Sequence, residues 1–107
     1  MTRQEENARY YQKNKQRFAD HRKAQRARNK EITKNARMGT ACDECQVVFD
    51  WWILEFDHRD PADKVGNVST MAAYPVGVEK LLTEMAKCDI VCANCHRDRT
   101  YRRRSTT

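Results

Sequence analysis

Apolar residues are sparse in the first third of the chain and gather in three short stretches after residue 46. Residues 3–37 contain neither Gly nor Pro and are rich in Arg, Lys, Gln, Ala and Glu, all good helix formers. Ala8, Tyr11 and Phe18 fall on one rough face, while Tyr10, Ala24, Ala27 and Ile32 are scattered. That is too little for a buried stripe, so the pattern predicts a long, largely solvated helix, continuous or broken. Gly39 stops it. Val47-Val48-Phe49 and the run Trp51-Trp52-Ile53-Leu54 predict a buried strand that reaches Asp57, and Pro61 enforces its end. Residues 59–77, with Pro61, Gly66, Pro75 and Gly77, predict an irregular loop. Val78, Leu81, Leu82 and Met85 recur at helical spacing and predict an amphipathic helix over about 78–87, its stripe packed on the core. Asp89-Ile90-Val91 suits a second strand. Cys92-Ala93-Asn94-Cys95-His96 then opens a last helix to about Arg104, with Ser105-Thr106-Thr107 fraying. The fold class this gives is α+β, small, behind a long N-terminal helix.

Composition sharpens the picture. The chain has 107 residues, 34% of them charged, and a mean hydropathy of -0.99. Such a thin core needs a staple, either metal or disulfide. No apolar run is long enough to span a bilayer, and the N-terminus lacks a signal-peptide core, so a reducing, cytoplasmic setting is expected. There, paired cysteines bind metal more often than they form disulfides. The net charge of +6 is unevenly spread. Residues 1–38 carry 12 Lys/Arg against 4 Asp/Glu, whereas residues 39–107 carry 9 against 11. Residues 1–38 therefore read as a basic helical arm suited to a polyanion, and residues 39–107 as the folded domain. A continuous apolar face is missing from the arm, which favours a nucleic-acid backbone over a membrane. Arg22, Lys23 and Arg26 are its expected phosphate contacts, and His21 is read as an ordinary surface histidine.

Two Cys-x-x-Cys pairs, Cys42/Cys45 and Cys92/Cys95, are separated by 46 residues. Each offers two thiolates from a tight knuckle, and two knuckles complete a tetrahedral structural zinc site. A redox pair and a four-thiolate iron site for electron transfer are the other chemistries open to such residues. Cys88 is left over and reads as a small core residue.

Asp57 and His58 sit side by side at the end of the first strand. A carboxylate can ligate a hard divalent ion, and an imidazole can take a proton from an attacking water; both are what phosphodiester hydrolysis needs. Neighbours on a strand point to opposite faces, so the strand must twist or end here for both to serve one phosphate. His96 directly follows Cys95, so the zinc site would set it at the first turn of the last helix, across from Asp57. The start of that helix offers free N–H groups to a phosphate, and Arg97 and Arg99, with Arg102, Arg103 and Arg104, give it a basic face. Arg59 is a further expected nucleic-acid contact. The plainer account makes His96 a zinc-ribbon residue and Asp57-His58 a strand end, in a non-catalytic DNA-binding regulator.

Together these residues resemble the HNH endonucleases, ββα-metal nucleases common in phages, mobile introns and bacteria. The likeness rests on Cys-x-x-Cys, then Leu54-Glu55-Phe56-Asp57-His58-Arg59-Asp60-Pro61 with Lys64, then Cys92-Ala93-Asn94-Cys95-His96-Arg97 with Thr100, and covers roughly residues 40–101. It implies a β-hairpin crossed by a helix and hydrolysis of DNA to 5′-phosphate and 3′-hydroxyl ends. It also implies one catalytic Mg²⁺ or Mn²⁺ held by Asp57 and His96, His58 as general base, and structural Zn²⁺ on Cys42, Cys45, Cys92 and Cys95. The expected partner is DNA, with no membrane and no small-molecule substrate, and the expected setting a bacterial host cell, the chain being phage-encoded or of the homing type. The family's middle Asn has no counterpart in Ala86-Lys87-Cys88-Asp89. Asp89, a backbone carbonyl or Asn94 would then steady the loop that orients the base.

Overall fold

The structure is a computed structural model that describes residues 1–105. Its first element, α1 (Arg3–Arg37), is one unbroken helix of 35 residues, about 52 Å long at 1.5 Å per residue. Thr2 caps it by accepting from the Glu5 N–H (3.1 Å), with Glu5 and Glu6 in the first turn and Lys34 and Arg37 in the last. Both charge sets suit the helix dipole. Gly39, at φ +69°, takes the left-handed conformation that ends it. The N-terminal part of α1 is exposed, but from Asn29 onward the helix joins the body. Buried Asn29 donates to the carbonyls of Tyr74 (3.1 Å) and Val76 (3.0 Å), Ile32 packs on the core, and Thr33 is buried. No apolar stripe announced this contact, because Ile32 is joined in it by polar side chains.

Two short strands, β1 (Leu54–His58) and β2 (Cys88–Cys92), pair antiparallel, with Leu54 opposite Cys92, Asp57 opposite Asp89 and His58 opposite Cys88. The first strand begins later than predicted, and Trp51–Ile53 form a 3-10 turn. The cause is the partner strand: β2 ends at Cys92, so nothing remains to pair with residues 51–53. The two indoles instead pack edge to face (5.8 Å between centroids), with Trp51 under the cations Lys34 and Arg37.

The stretch 59–77 is less irregular than predicted. It holds a 3-10 turn at Pro61–Asp63, capped by the Asp60 carboxylate on the Ala62 N–H (2.9 Å), and a short helix, α2 (Val68–Ala72). Val68, Met71 and Ala72 are buried at helical spacing, but five residues are too few to show a period. The predicted amphipathic helix is α3 (Val78–Met85), with one change of face: Leu82 is 47% exposed while Glu84 is 1% exposed. The last helix, α4 (Ala93–Ser105), starts directly after β2. The fraying expected of Thr106 and Thr107 lies outside the described residues, and Ser105 ends the helix.

The core is in two parts. Val68, Met71, Ala72, Leu81 and Cys88 form one, with Cys88 the small buried residue expected of it. Cys42, Leu54, Val91 and Cys92 form the other. The class is α+β: among the described residues, four α-helices surround a two-stranded antiparallel sheet. Among the described residues no helix is long and apolar enough to cross a membrane.

Candidate active site and cysteine cluster

The two cysteine pairs meet where the chain enters the sheet and leaves it. The first knuckle is closed by the Cys42 N–H on the Val47 carbonyl (2.9 Å) and the Gln46 N–H on the Cys42 carbonyl (2.8 Å). Asp43 fastens it to β2: its N–H donates to the Ile90 carbonyl and its carboxylate accepts from the Ile90 N–H, both at 2.8 Å. The sulfurs of Cys42, Cys45, Cys92 and Cys95 all lie within 4.8 Å of one another. Four thiolates around a zinc at about 2.3 Å would sit roughly 3.8 Å apart, so the cluster could hold such an ion with a small contraction. Burial opposes charge on Cys42, but backbone N–H groups of Cys45, Cys92 and Glu44 outweigh it and lower the thiol to about 6. Cys42 is therefore ready to deprotonate at neutral pH. Cys95 is held up to about 12, first by its hydrogen bond with Cys92. Metal binding at this cluster would release protons.

Asp57 and His58 point to opposite faces of β1, as strand geometry requires. Asp57 turns toward α4. Its Oδ1 lies 3.4 Å from His96 Nε2 and accepts from Arg103 Nη1 (2.7 Å); its Oδ2 accepts from Arg103 Nη2 (2.9 Å) and Arg99 Nη1 (3.0 Å). Burial disfavours the Asp57 carboxylate, but these arginines prevail and hold its pKa below the usual range. His96 also places Nδ1 3.2 Å from Glu55 Oε1. Asp57, His58 and His96 nevertheless line one cleft of about 210 Å³, together with Lys64, Asn67 and Arg103. The strand ends at His58, so the cleft reaches round its tip and takes in both faces.

His58 has a partner that no sequence motif identified. Its Nε2 lies 2.7 Å from Glu84 Oε1, and both side chains are buried. Glu84 also accepts from the Val65 N–H (2.9 Å), the Gly66 N–H (3.4 Å) and Lys87 Nζ (3.0 Å). Burial penalises its charge, yet these donors, Val65 first, pull the pKa from 4.5 down to about 2. The carboxylate is thus ionised and accepts only. His58 Nε2 must carry the hydrogen, so in the neutral ring Nδ1 is the proton acceptor. The candidates read from sequence for this steadying role were Asp89, a carbonyl or Asn94. Asp89 pairs instead with Arg59 and Arg99. The signal for Glu84 was its place three residues after Leu81, on the inward face of α3.

Glu84→Ala should cost about 3 kcal/mol, since it removes the buried partner of His58 and the acceptor shared by the Val65 and Gly66 N–H groups, while Lys87 keeps only the Asp63 carbonyl. Urea unfolding of the zinc-loaded protein would read it. In the wild type, the stabilisation from this carboxylate is complete above its ordinary value of 4.5 and fades as pH falls toward about 2. The alanine variant should lose that dependence.

The basic face expected on α4 is largely engaged within the protein. Arg99 donates to Glu44 Oε2 (2.6 Å), Asp57 and Asp89, which raises its pKa well above the usual value against the pull of burial. Arg102 pairs with Glu44 (3.3 Å) and Asp98 (2.9 Å). Arg59, expected as a phosphate contact, donates to the carbonyls of Cys88 (2.8 Å) and Ala86 and so ties the end of β1 to the start of β2. Asp98 apart, which is one turn from Arg102 on α4 itself, these acceptors lie on other segments of the chain, which is why a charge count missed them. Arg97 is exposed on α4, and on α1 Arg22 and Lys23 are exposed and Arg26 is half-buried.

No protein-family model matches the chain, and comparison with curated proteins and with solved structures returns no significant match.

Proposed function

We propose that the chain is a metal-dependent DNA endonuclease or nickase of the HNH type. One observation carries this reading: His96 Nε2 reaches to 3.4 Å from Asp57 Oδ1, and His58 lines the same cleft. One carboxylate oxygen and one imidazole nitrogen in contact form a donor set that fits a divalent ion such as Mg²⁺ or Mn²⁺. Such an ion would supply positive charge for the phosphate and its departing oxygen.

The chain's own residues do the rest. His58 accepts the proton of the attacking water at Nδ1, and Glu84 holds the ring and favours the cation that forms. Asp57 would hold such an ion through Oδ1 in place of its contact with Arg103, with Arg99 still on Oδ2. The Arg103 side chain is 41% exposed and can turn from the carboxylate to a phosphate oxygen. Cys42, Cys45, Cys92 and Cys95 would hold the structural zinc, which would tie α4 to the sheet and keep His96 against Asp57. The exposed cations of α1, Arg22 and Lys23 among them, lie along the DNA backbone without reading its sequence.

The test is nicking of supercoiled plasmid by the zinc-loaded chain. Relaxed circles with Mg²⁺ or Mn²⁺, none without added ion, and 5′-phosphate ends are the expected result. Plasmid that is bound but uncut with every ion would transfer the chain to the alternative, a non-catalytic zinc-ribbon DNA-binding regulator.

A further inference from the structure

A second, larger cavity of about 630 Å³ adjoins the cleft of Asp57, His58 and His96. Its size falls within the roughly 300–1,000 Å³ typical of small-ligand sites. The C-terminal part of α1 forms one wall, the turn at Trp51 with β1 another, and the start of α2 closes the end. Phe56, His58, Asn67 and His96 line both spaces, so the cavity meets the cleft at the candidate base and metal ligand.

The lining has the chemistry of a nucleotide site. Trp51 and Phe56 offer aromatic surface beside the small apolar side chains Val68 and Ala72. Cations from α1 stand over the rings: Lys34 Nζ is 5.3 Å and the Arg37 guanidinium 5.1 Å from the Trp51 centroid, and Arg37 is 5.8 Å from that of Phe56. Asn67 precedes α2, yet its side chain makes no capping hydrogen bond, which leaves its amide for a ligand's polar edge. Aromatic faces for stacking, an amide for an edge and cations for phosphate are what recognition of one unpaired base uses. Two carboxylates, Glu31 and Glu55, also line the cavity. Both are exposed and can accept from a base amino group, while exposed Lys30 and half-buried Lys34 offer cations to its phosphates. Walls on three sides exclude a base that is still paired.

We propose that this cavity holds one unpaired nucleobase of the strand being cut, so that the preferred substrate is DNA with an extrahelical or single-stranded nucleotide beside the scissile phosphate. The proposal rests on the nuclease reading for the position of the cut, but base binding can be measured apart from cutting. The probes are two DNA duplexes of the same sequence, one fully paired and one with a single extrahelical 2-aminopurine. The zinc-loaded full chain is titrated into each without Mg²⁺ or Mn²⁺.

The extrahelical probe should bind about tenfold more tightly than the paired one, the size expected of one base stacked on aromatic side chains. Its fluorescence should fall on binding. Trp51→Leu should bring the affinity ratio to about one. Ser69→Trp, which fills the cavity mouth from an exposed position on α2, should do the same should Trp51→Leu fail to fold. Equal affinities in the wild type, a preference that survives filling of the cavity, or no DNA binding overturns the proposal. So does a hydrophobic dye bound in the cavity that neither duplex displaces. A chain that prefers the extrahelical probe but cuts nothing keeps the base site and loses the nuclease reading. One that cuts paired and extrahelical duplexes alike, with the 2-aminopurine still bright, does the reverse.

Discussion

Replacing His58 with alanine should slow Mg²⁺- or Mn²⁺-dependent nicking by about 10²–10⁴-fold, the usual contribution of a positioned general base. DNA should still bind. The reasoning starts at Glu84, whose ionised carboxylate fixes the hydrogen on His58 Nε2 and leaves Nδ1 as the acceptor. No other imidazole in the cleft can take over, because His96 Nε2 faces Asp57 and its Nδ1 faces Glu55. The fold should survive, since Glu84 keeps Val65, Gly66 and Lys87 as donors. Zinc content and far-UV circular dichroism separate the two causes of a lost rate. Nicking at the wild-type rate with both unchanged would remove His58 from the chemistry.

With zinc on the four cysteines, as proposed, its withdrawal should have the largest effect on stability. Two of the four thiols, Cys42 and Cys92, are core residues in their own right, packed with Leu54 and Val91. Structural zinc in small fingers contributes about 10–16 kcal/mol, against total stabilities of about 5–15 kcal/mol for ordinary domains. A chelator, or Cys92→Ser, should therefore abolish the cooperative thermal transition. Acid should act in the same direction, because the thiols must lose protons to bind metal. An unchanged transition after complete zinc removal would mean that the two small cores suffice alone.

The legible parts of this chain are those whose chemistry is local. Two Cys-x-x-Cys pairs in one small chain point to a shared cluster, and the four sulfurs do lie together. His96 could be located because it follows Cys95 of that cluster by one residue. The run at Trp51 misled because its residues are apolar enough for a strand, while pairing depends on where β2 ends. In α3 the period was right and the residue choice was not: hydrophobicity selected Leu82, whereas the helix turns Glu84 inward. A buried carboxylate is stable only with several donors, and two of these, Val65 and Gly66, come from a loop that periodicity does not see. Asn29 is hidden for the same reason, since its partners lie 45 and 47 residues away. The engaged arginines of α4 follow this rule too: Glu44 and Asp57 are remote in sequence from Arg99 and Arg103 but adjacent in the fold.

Crystals of the zinc-loaded protein soaked in manganese, with the ion located by its anomalous scattering, test the site most directly. The expected map has manganese bound by both the Asp57 carboxylate and the His96 imidazole, with Arg103 turned away from Asp57 and Glu84 still on His58. A map at saturating manganese with Asp57 still paired to Arg103, and no anomalous peak beside His96, would contradict it.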